Sequence, residues 1–484
     1  MVYDDQSATT KKPEPDKLAQ FWASEIERYG RGTKKWDDQA SAVVKIYLDQ
    51  HKNQNSSKRR FALLWSNIET LKPAVYARTP VPVVSRRFKD ADPVGRKASE
   101  MLERAIKTSF DLYGVDDVMK LVRDDRLLAG RGTAWVRYEP SFEMMGGQND
   151  GKTIENDTGE PSEAQSYERL ASEKVCCEFV HWSDFGHTLE RTWPEVRGAW
   201  RKVFLTKEKV KQRNFKNEQA ALRLTYDVRA EYAEKYGGGD TDVCEPQCVI
   251  YEIWDKIKHR TLWLDKEKGA ILEDGPPPLN FRNFWPFPLP AYGTCATGSL
   301  IPVPDYKYYQ DQAEEIDDLT NKIADLTMWL RMRGLIGVGP SSEGGDALAK
   351  LMRMEDSLNN QASSNNVLIP VESWSGFTEK GGIGGLVDWV PLDKVMVALK
   401  GAIESRQQLI NDVYQITGIS DILRGETDPN ETLGAQKLKA QTGSRRISTT
   451  QRDLARFARD LAELVGEVIA EVFQPETIAE MSGM

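Results

Sequence analysis

Several groups of residues in this chain are of a type and spacing that could do chemistry. Gly146, Gly151, Lys152 and Thr153 match G-x-x-x-x-G-K-T, the loop whose backbone N–H groups and lysine cradle phosphates in nucleotide hydrolases. That loop needs a buried strand before it and a helix N-terminus after it. Phe142, Glu143, Met144 and Met145 are too short a lead for a buried parallel strand. Ile154 to Ser162 is acidic and carries Gly-Glu-Pro, so no helix starts there. No apolar strand ending in Asp follows to hold Mg²⁺. The match reads as a chance one in a polar loop.

The adjacent pairs Asp124–Asp125 and Asp317–Asp318 are of the type that binds Mg²⁺ for nuclease work. Both fall on helical patterns, where neighbours point about 100° apart, so they read as solvated faces. Gly381, Gly382, Gly384 and Gly385 have no helix behind them and read as loop. Cys244 and Cys248 are split by Pro246, and no second Cys or His pair stands at zinc spacing. His181 and His187 read as surface or core histidines. The five cysteines are an odd count, which argues against a disulfide framework. No Ser/His/Asp or Cys/His arrangement follows from spacing. The sequence therefore predicts no catalytic residue, no metal, no cofactor and no enzyme.

The elements that would position a site are extensive, because 484 residues exceed one simple core. No apolar run approaches the roughly 20 residues of a membrane helix. Met1 to Pro15 is polar, without a signal-peptide core, and predicts folding in a cytoplasm without a membrane partner. The net charge is −9. Proteins that grip DNA neutralise phosphates with basic surfaces, so tight, extended binding is not expected here. Passing DNA without gripping it is compatible.

Apolar periodicity predicts helices over 16–29, from Asp37, near 59–76, 93–112 and 115–129. Thr133 to Tyr138 reads as a strand, and about 141–173 as a mobile insertion. Strands follow over 175–182 and 199–205, and Thr206 caps a short helix over 207–214. Cys248–Ile257 and Arg260–Leu264 read as a hairpin that brings Trp254 and Trp263 within reach of each other. Gly275 to Pro290 is dense in Pro, Phe and Trp and predicts a rigid strap with buried aromatics. A long helix is expected over 305–332, about 42 Å at 1.5 Å per residue, ended by Gly334, Gly337 and Gly339. Short β-like pieces, 366–369 and 386–390, lie in the Gly-rich stretch that follows. Further long helices are expected over 392–417 and 432–473, the last weakened at Gly434 and Gly443. The fold class is thus α+β, mainly α.

The first long helix is acidic, with Asp311, Glu315, Asp318 and Asp325 among its carboxylates. The last is basic: over 431–460 seven Lys and Arg stand against three acids.

The order of several segments carries a resemblance. Phe61-Ala-Leu-Leu-Trp-Ser-Asn-Ile-Glu-Thr-Leu-Lys-Pro-Ala-Val-Tyr-Ala-Arg-Thr-Pro, Arg126-Leu-Leu-Ala-Gly-Arg-Gly-Thr-Ala-Trp-Val-Arg-Tyr-Glu-Pro and Arg201-Lys-Val-Phe-Leu-Thr-Lys-Glu are three of them. Glu252-Ile-Trp-Asp-Lys, Ile301-Pro-Val-Pro-Asp-Tyr-Lys-Tyr-Tyr-Gln-Asp-Gln and Glu431-Thr-Leu-Gly-Ala-Gln are the others. Across roughly 59–473 the chain resembles the portal, or head-to-tail connector, proteins of short-tailed bacteriophages. The resemblance implies a homo-oligomeric ring, usually a dodecamer, at one capsid vertex, through which double-stranded DNA is packaged and ejected. It implies a disordered tail (1–15), a wing (16–303), a first stem helix (304–332), an α/β clip (333–391) and a second stem helix (392–417). A tunnel loop (418–431), a long kinked wing or crown helix (432–473) and a short tail (474–484) complete it. Ile419, Arg424, Asp428, Asn430, Lys437 and Lys439 would face DNA, and Asp311, Glu315, Asp318 and Asp325 would line the stem channel. The implied partners are terminase large subunit, major capsid and scaffolding proteins, and a head–tail adaptor, in a virion assembled in the host bacterial cytoplasm. The alternatives are another head–tail structural protein, such as an adaptor or minor capsid component, and a packaging ATPase.

Overall fold

The computed structural model describes residues 17–49, 59–86, 92–145, 167–226, 245–330, 333–337, 367–371, 387–389, 392–419 and 433–483. It is a mixed α+β protein, about 54% helical, with several antiparallel sheets. In chain order come α1 (Lys17–Tyr47), α2 (Leu63–Val75), α3 (Pro93–Leu112), α4 (Val115–Leu128), β1 (Arg131–Met145), β2 (Tyr167–Val180), β3 (Phe185–His187) and β4 (Gly198–Thr206). Next are α5 (Lys207–Arg213), α6 (Glu218–Ala221), β5 (Gln247–Asp255), β6 (Arg260–Asp265), β7 (Ala270–Gly275), β8 (Ala291–Tyr292), β9 (Thr294–Cys295) and β10 (Pro302–Val303). Then follow α7 (Gln310–Trp329), β11 (Arg333–Gly337), β12 (Val367–Val371), β13 (Val387–Trp389), α8 (Leu392–Thr417), α9 (Leu433–Val472) and α10 (Pro475–Ser482).

The chain divides into two compact units. One holds residues 1–48, 68–305 and 444–484; the other holds 49–67 and 306–443.

In the larger unit an antiparallel sheet of order β3-β4-β5-β6-β7 presents Ile253, Leu262 and Leu264 to Trp22, Ile26 and Tyr29 of α1. A second sheet, β2-β1-β8, packs its Val136 and Val175 with α3, α4 and the α9 residues from Leu454 to Ile469. Gly132 permits this close approach: a Cβ there would stand 2.1 Å from the Val122 carbonyl oxygen. Gly130, with φ at +88°, makes the turn from α4 into β1. Phe281, Phe284, Trp285 and Phe287 are buried in the same core, as the composition of the Pro-rich strap requires.

In the smaller unit α7 and α8 pack along one another. Ala313 and Ile316 face inward from α7; Ala402, Ile410 and Val413 do so from α8. Between the two helices in sequence lies a three-stranded sheet, parallel for β11–β12 and antiparallel for β11–β13.

Several sequence expectations need correction. The helices expected over 16–29 and from Asp37 are one, α1, of 31 residues. Thr33, Trp36, Ala40 and Val43 extend its buried stripe beyond Gly30 and Gly32, and burial outweighs two poor helix formers. The insertion ends earlier than position 173, because β2 begins at Tyr167 and pairs with β1 to its end; residues 146–166 lie outside the described residues. Trp254 and Trp263 enter different clusters, the first with Trp135, Phe281 and Phe284, the second with Phe215. Residues 305–308 form a 3₁₀ turn, with Tyr306 against Tyr309, so the helix starts at Gln310 and is about 30 Å long. Gly334 and Gly337 stand in a strand rather than a helix end. The segment expected as a short tail carries a helix, α10, whose end is held by Thr108 Oγ1 donating to the Met481 carbonyl at 3.0 Å. The long helix expected over 432–473 is α9, Leu433–Val472, of 40 residues.

Candidate functional site

The surface with the most consistent chemical character in the smaller unit is one face of α7. The helix forms because Tyr309, Ala313 and Ile316 recur at helical spacing and are all buried. At about 100° per residue, Asp311, Glu315, Asp318 and Asp325 fall within roughly 80° of one another, opposite that buried stripe. All four are exposed. Glu314 borders them, and Lys322 is the cation on the same face. The four residues assigned by resemblance to a channel wall therefore share one face of a single chain.

The backbone before α2 is held onto α7. The Phe61 N–H donates to Asp317 Oδ1 at 2.7 Å. Burial raises the Asp317 carboxyl pKa above its ordinary value, and the bond from Phe61 opposes the rise. Asn321 holds Arg59 through both its amide atoms. Arg406 of α8 lies over the Phe61 ring, 5.8 Å from its centroid. Asp317 is thus engaged structurally, while Asp318 stands exposed on the acidic face.

The other assigned residues are distributed differently. Ile419 is 1% exposed, an apolar side chain buried just after α8 rather than one turned outward. Arg424, Asp428 and Asn430 lie outside the described residues. Lys437 and Lys439 fall on α9. Farther along that helix Arg456 donates to the carbonyls of Leu289 and Pro290, which ties the helix to the strap.

Among the described residues, the remaining sequence candidates form no reactive constellation. Gly146, Gly151, Lys152 and Thr153 lie outside the described residues, as do Gly381, Gly382, Gly384, Gly385 and Cys244. Asp125 accepts the Trp182 N–H at 2.9 Å, and burial pushes its carboxyl well above the carboxylate range. His187 is buried with Nδ1 3.0 Å from the Thr188 carbonyl; His181 Nδ1 bonds Ser183 Oγ at 2.8 Å. Cys248 is buried and its thiol is pushed up to about 11, chiefly by burial. Among the described residues, no group of three or more His, Cys, Asp or Glu is placed to hold a metal, and no helix is long and apolar enough to cross a membrane.

Sequence reading missed the charged interior of the larger unit. Arg201 is buried between Glu252, 2.8 Å away, and Glu178, 2.6 Å away, with Trp135 beneath its guanidinium at 4.8 Å. Arg131 is buried nearby among neutral acceptors. The signal available was weak: Arg131 opens β1 and Arg201 stands beside Lys202 in β4, and nothing in the pattern marks either as buried. No protein-family model and no curated protein matches this sequence.

Proposed function

We propose that this chain is a non-enzymatic structural subunit that assembles with copies of itself into a ring around a channel for double-stranded DNA. More particularly, it serves as the portal of a short-tailed bacteriophage, set at one capsid vertex, through which the DNA is packaged and later ejected. The observation that supports this reading best is the placement of Asp311, Glu315, Asp318 and Asp325 on the α7 face turned away from the helix's own buried stripe. An acidic wall repels the phosphate backbone and lets DNA slide, whereas each neutralised phosphate would add affinity and retard it. The order helix, small sheet, helix over 310–417 also suits a stem with a clip. In this reading the clip meets terminase large subunit and later the head–tail adaptor, and the wing meets major capsid and scaffolding proteins. Assembly takes place in the host bacterial cytoplasm and the product resides in the virion.

Electron microscopy of the purified protein tests the proposal. Rings with a central hole, about a dozen subunits around, are expected. A protein that stays monomeric at every concentration, with and without capsid and scaffolding proteins, overturns it.

A further inference from the structure

A cavity of about 310 Å³ opens in the larger unit between α1 and the five-stranded sheet. Its lining includes Asp37, Ser41, Arg131, Asp184, Lys202 and Lys266. Arg131 is 1% exposed. Its guanidinium donates to Tyr29 Oη at 2.6 Å, the Trp182 carbonyl at 2.7 Å and the Phe185 carbonyl at 2.8 Å. It also lies over the rings of Trp36 and Phe185, 4.5 and 5.1 Å from their centroids. All these partners are neutral, and Nε has no hydrogen-bond partner.

Neutral dipoles soften a buried charge without cancelling it, and an uncompensated buried ion is costly. No lining carboxylate forms a direct ion pair with Arg131, although the Asp37 charge acts on it at longer range. Asp184 is engaged by Lys202 at 3.3 Å, and Asp37 accepts from Thr33 Oγ1 at 2.9 Å. Lys266 makes no ion pair among the described residues. The lining thus holds two cations without a direct counter-ion, Arg131 and Lys266, against Asp37. The space corresponds to about ten water molecules at roughly 30 Å³ each, enough for a phosphate or a small dicarboxylate.

We propose that this cavity binds a small oxyanion, a carboxylate or a phosphate, with the Arg131 charge at its floor and Lys266 closing the charge balance. The Ser41 hydroxyl in the lining supplies a further donor. The assignment is independent of the channel role.

Thermal unfolding and titration calorimetry of the full chain test it, with phosphate, succinate and acetate compared against chloride at equal ionic strength. Phosphate or a carboxylate raises Tm saturably while chloride does not, and whichever acts identifies the oxyanion. Lys266→Gln weakens the apparent Kd about tenfold, the scale of one charge-assisted hydrogen bond. Asp37→Asn, which removes the opposing charge, tightens it. Stabilisation no different from that by chloride, or binding that ignores both substitutions, overturns the proposal.

Discussion

The side chain of Asn321 engages the backbone of Arg59 twice: Oδ1 accepts the Arg59 N–H at 2.7 Å, and Nδ2 donates to the Arg59 carbonyl at 3.0 Å. One amide thereby imitates a strand neighbour and fastens residues 59–61 to α7, with Asp317 taking the Phe61 N–H beside it. Asn321→Ala removes both bonds. Each net bond contributes about 1 kcal/mol, so a local loosening of about 2 kcal/mol is expected with the core intact. Limited trypsin digestion checks this: cleavage at Arg59 and Arg60 accelerates, while circular dichroism is unchanged.

The acidic face of α7 predicts a change in DNA affinity. Replacing Asp311, Glu315, Asp318 and Asp325 together by Lys converts a repelling surface into a phosphate-binding one. Filter binding is expected to show affinity rising by more than about tenfold at 50 mM salt, with a steeper salt dependence than the parent. Unchanged binding and unchanged salt slope would place that face away from DNA.

Arg201 and Glu252 are both buried, at 6% exposure each. Arg201→Met leaves Glu252 as an unpaired interior charge, at a cost of about 3–5 kcal/mol. Arg201→Met with Glu252→Leu recovers much of it, because the orphaned charge goes too. Urea denaturation of the parent, single and double variants measures the difference.

Stability also carries a histidine signature. Burial, aided by the Arg131 charge, depresses the His187 pKa from 6.5 to about 3. An unfolded chain takes up a proton at His187 near pH 6.5 that the folded chain refuses until about pH 3. Stability therefore falls through this window as pH drops, the sign of a depressed pKa. His187→Gln is expected to flatten the Tm profile between pH 6.5 and 3 relative to the parent, whatever its effect at neutral pH. Parallel profiles would contradict the burial argument.

Ile316 is 0% exposed in the packing of α7 on α8. Ile316→Ala should cost about 2–4 kcal/mol through lost burial and the cavity left behind. Differential scanning calorimetry should show the loss, and Asp318→Ala on the opposite face should leave Tm within about 1 °C, as an exposed substitution does.

What the amino-acid order determined alone was mostly local. The apolar period over 392–417 coincides with α8, Leu392–Thr417. Thr206 caps α5 by accepting from the Lys209 N–H. The aromatic strap had no way to remain exposed and is buried. The clustering of Asp311, Glu315, Asp318 and Asp325 on one face follows from helical spacing once α7 exists. Tertiary structure decided what depends on a neighbour distant in sequence. α1 continues past Gly30 and Gly32 because Ala129 and Trp182 give Trp36 and Ala40 of its far half something to bury against. β2 extends back to Tyr167 because β1 is there to pair with it. Trp254 and Trp263 part because their surroundings differ, one facing the strap and the other Phe215. Ile419 is buried although its loop context suggested exposure. Arg131 differs most from any reading of pattern: its burial depends on two carbonyls and a phenol that lie 51, 54 and 102 residues away. Periodicity records which side of an element is apolar; only packing determines which distant groups satisfy a charge enclosed there.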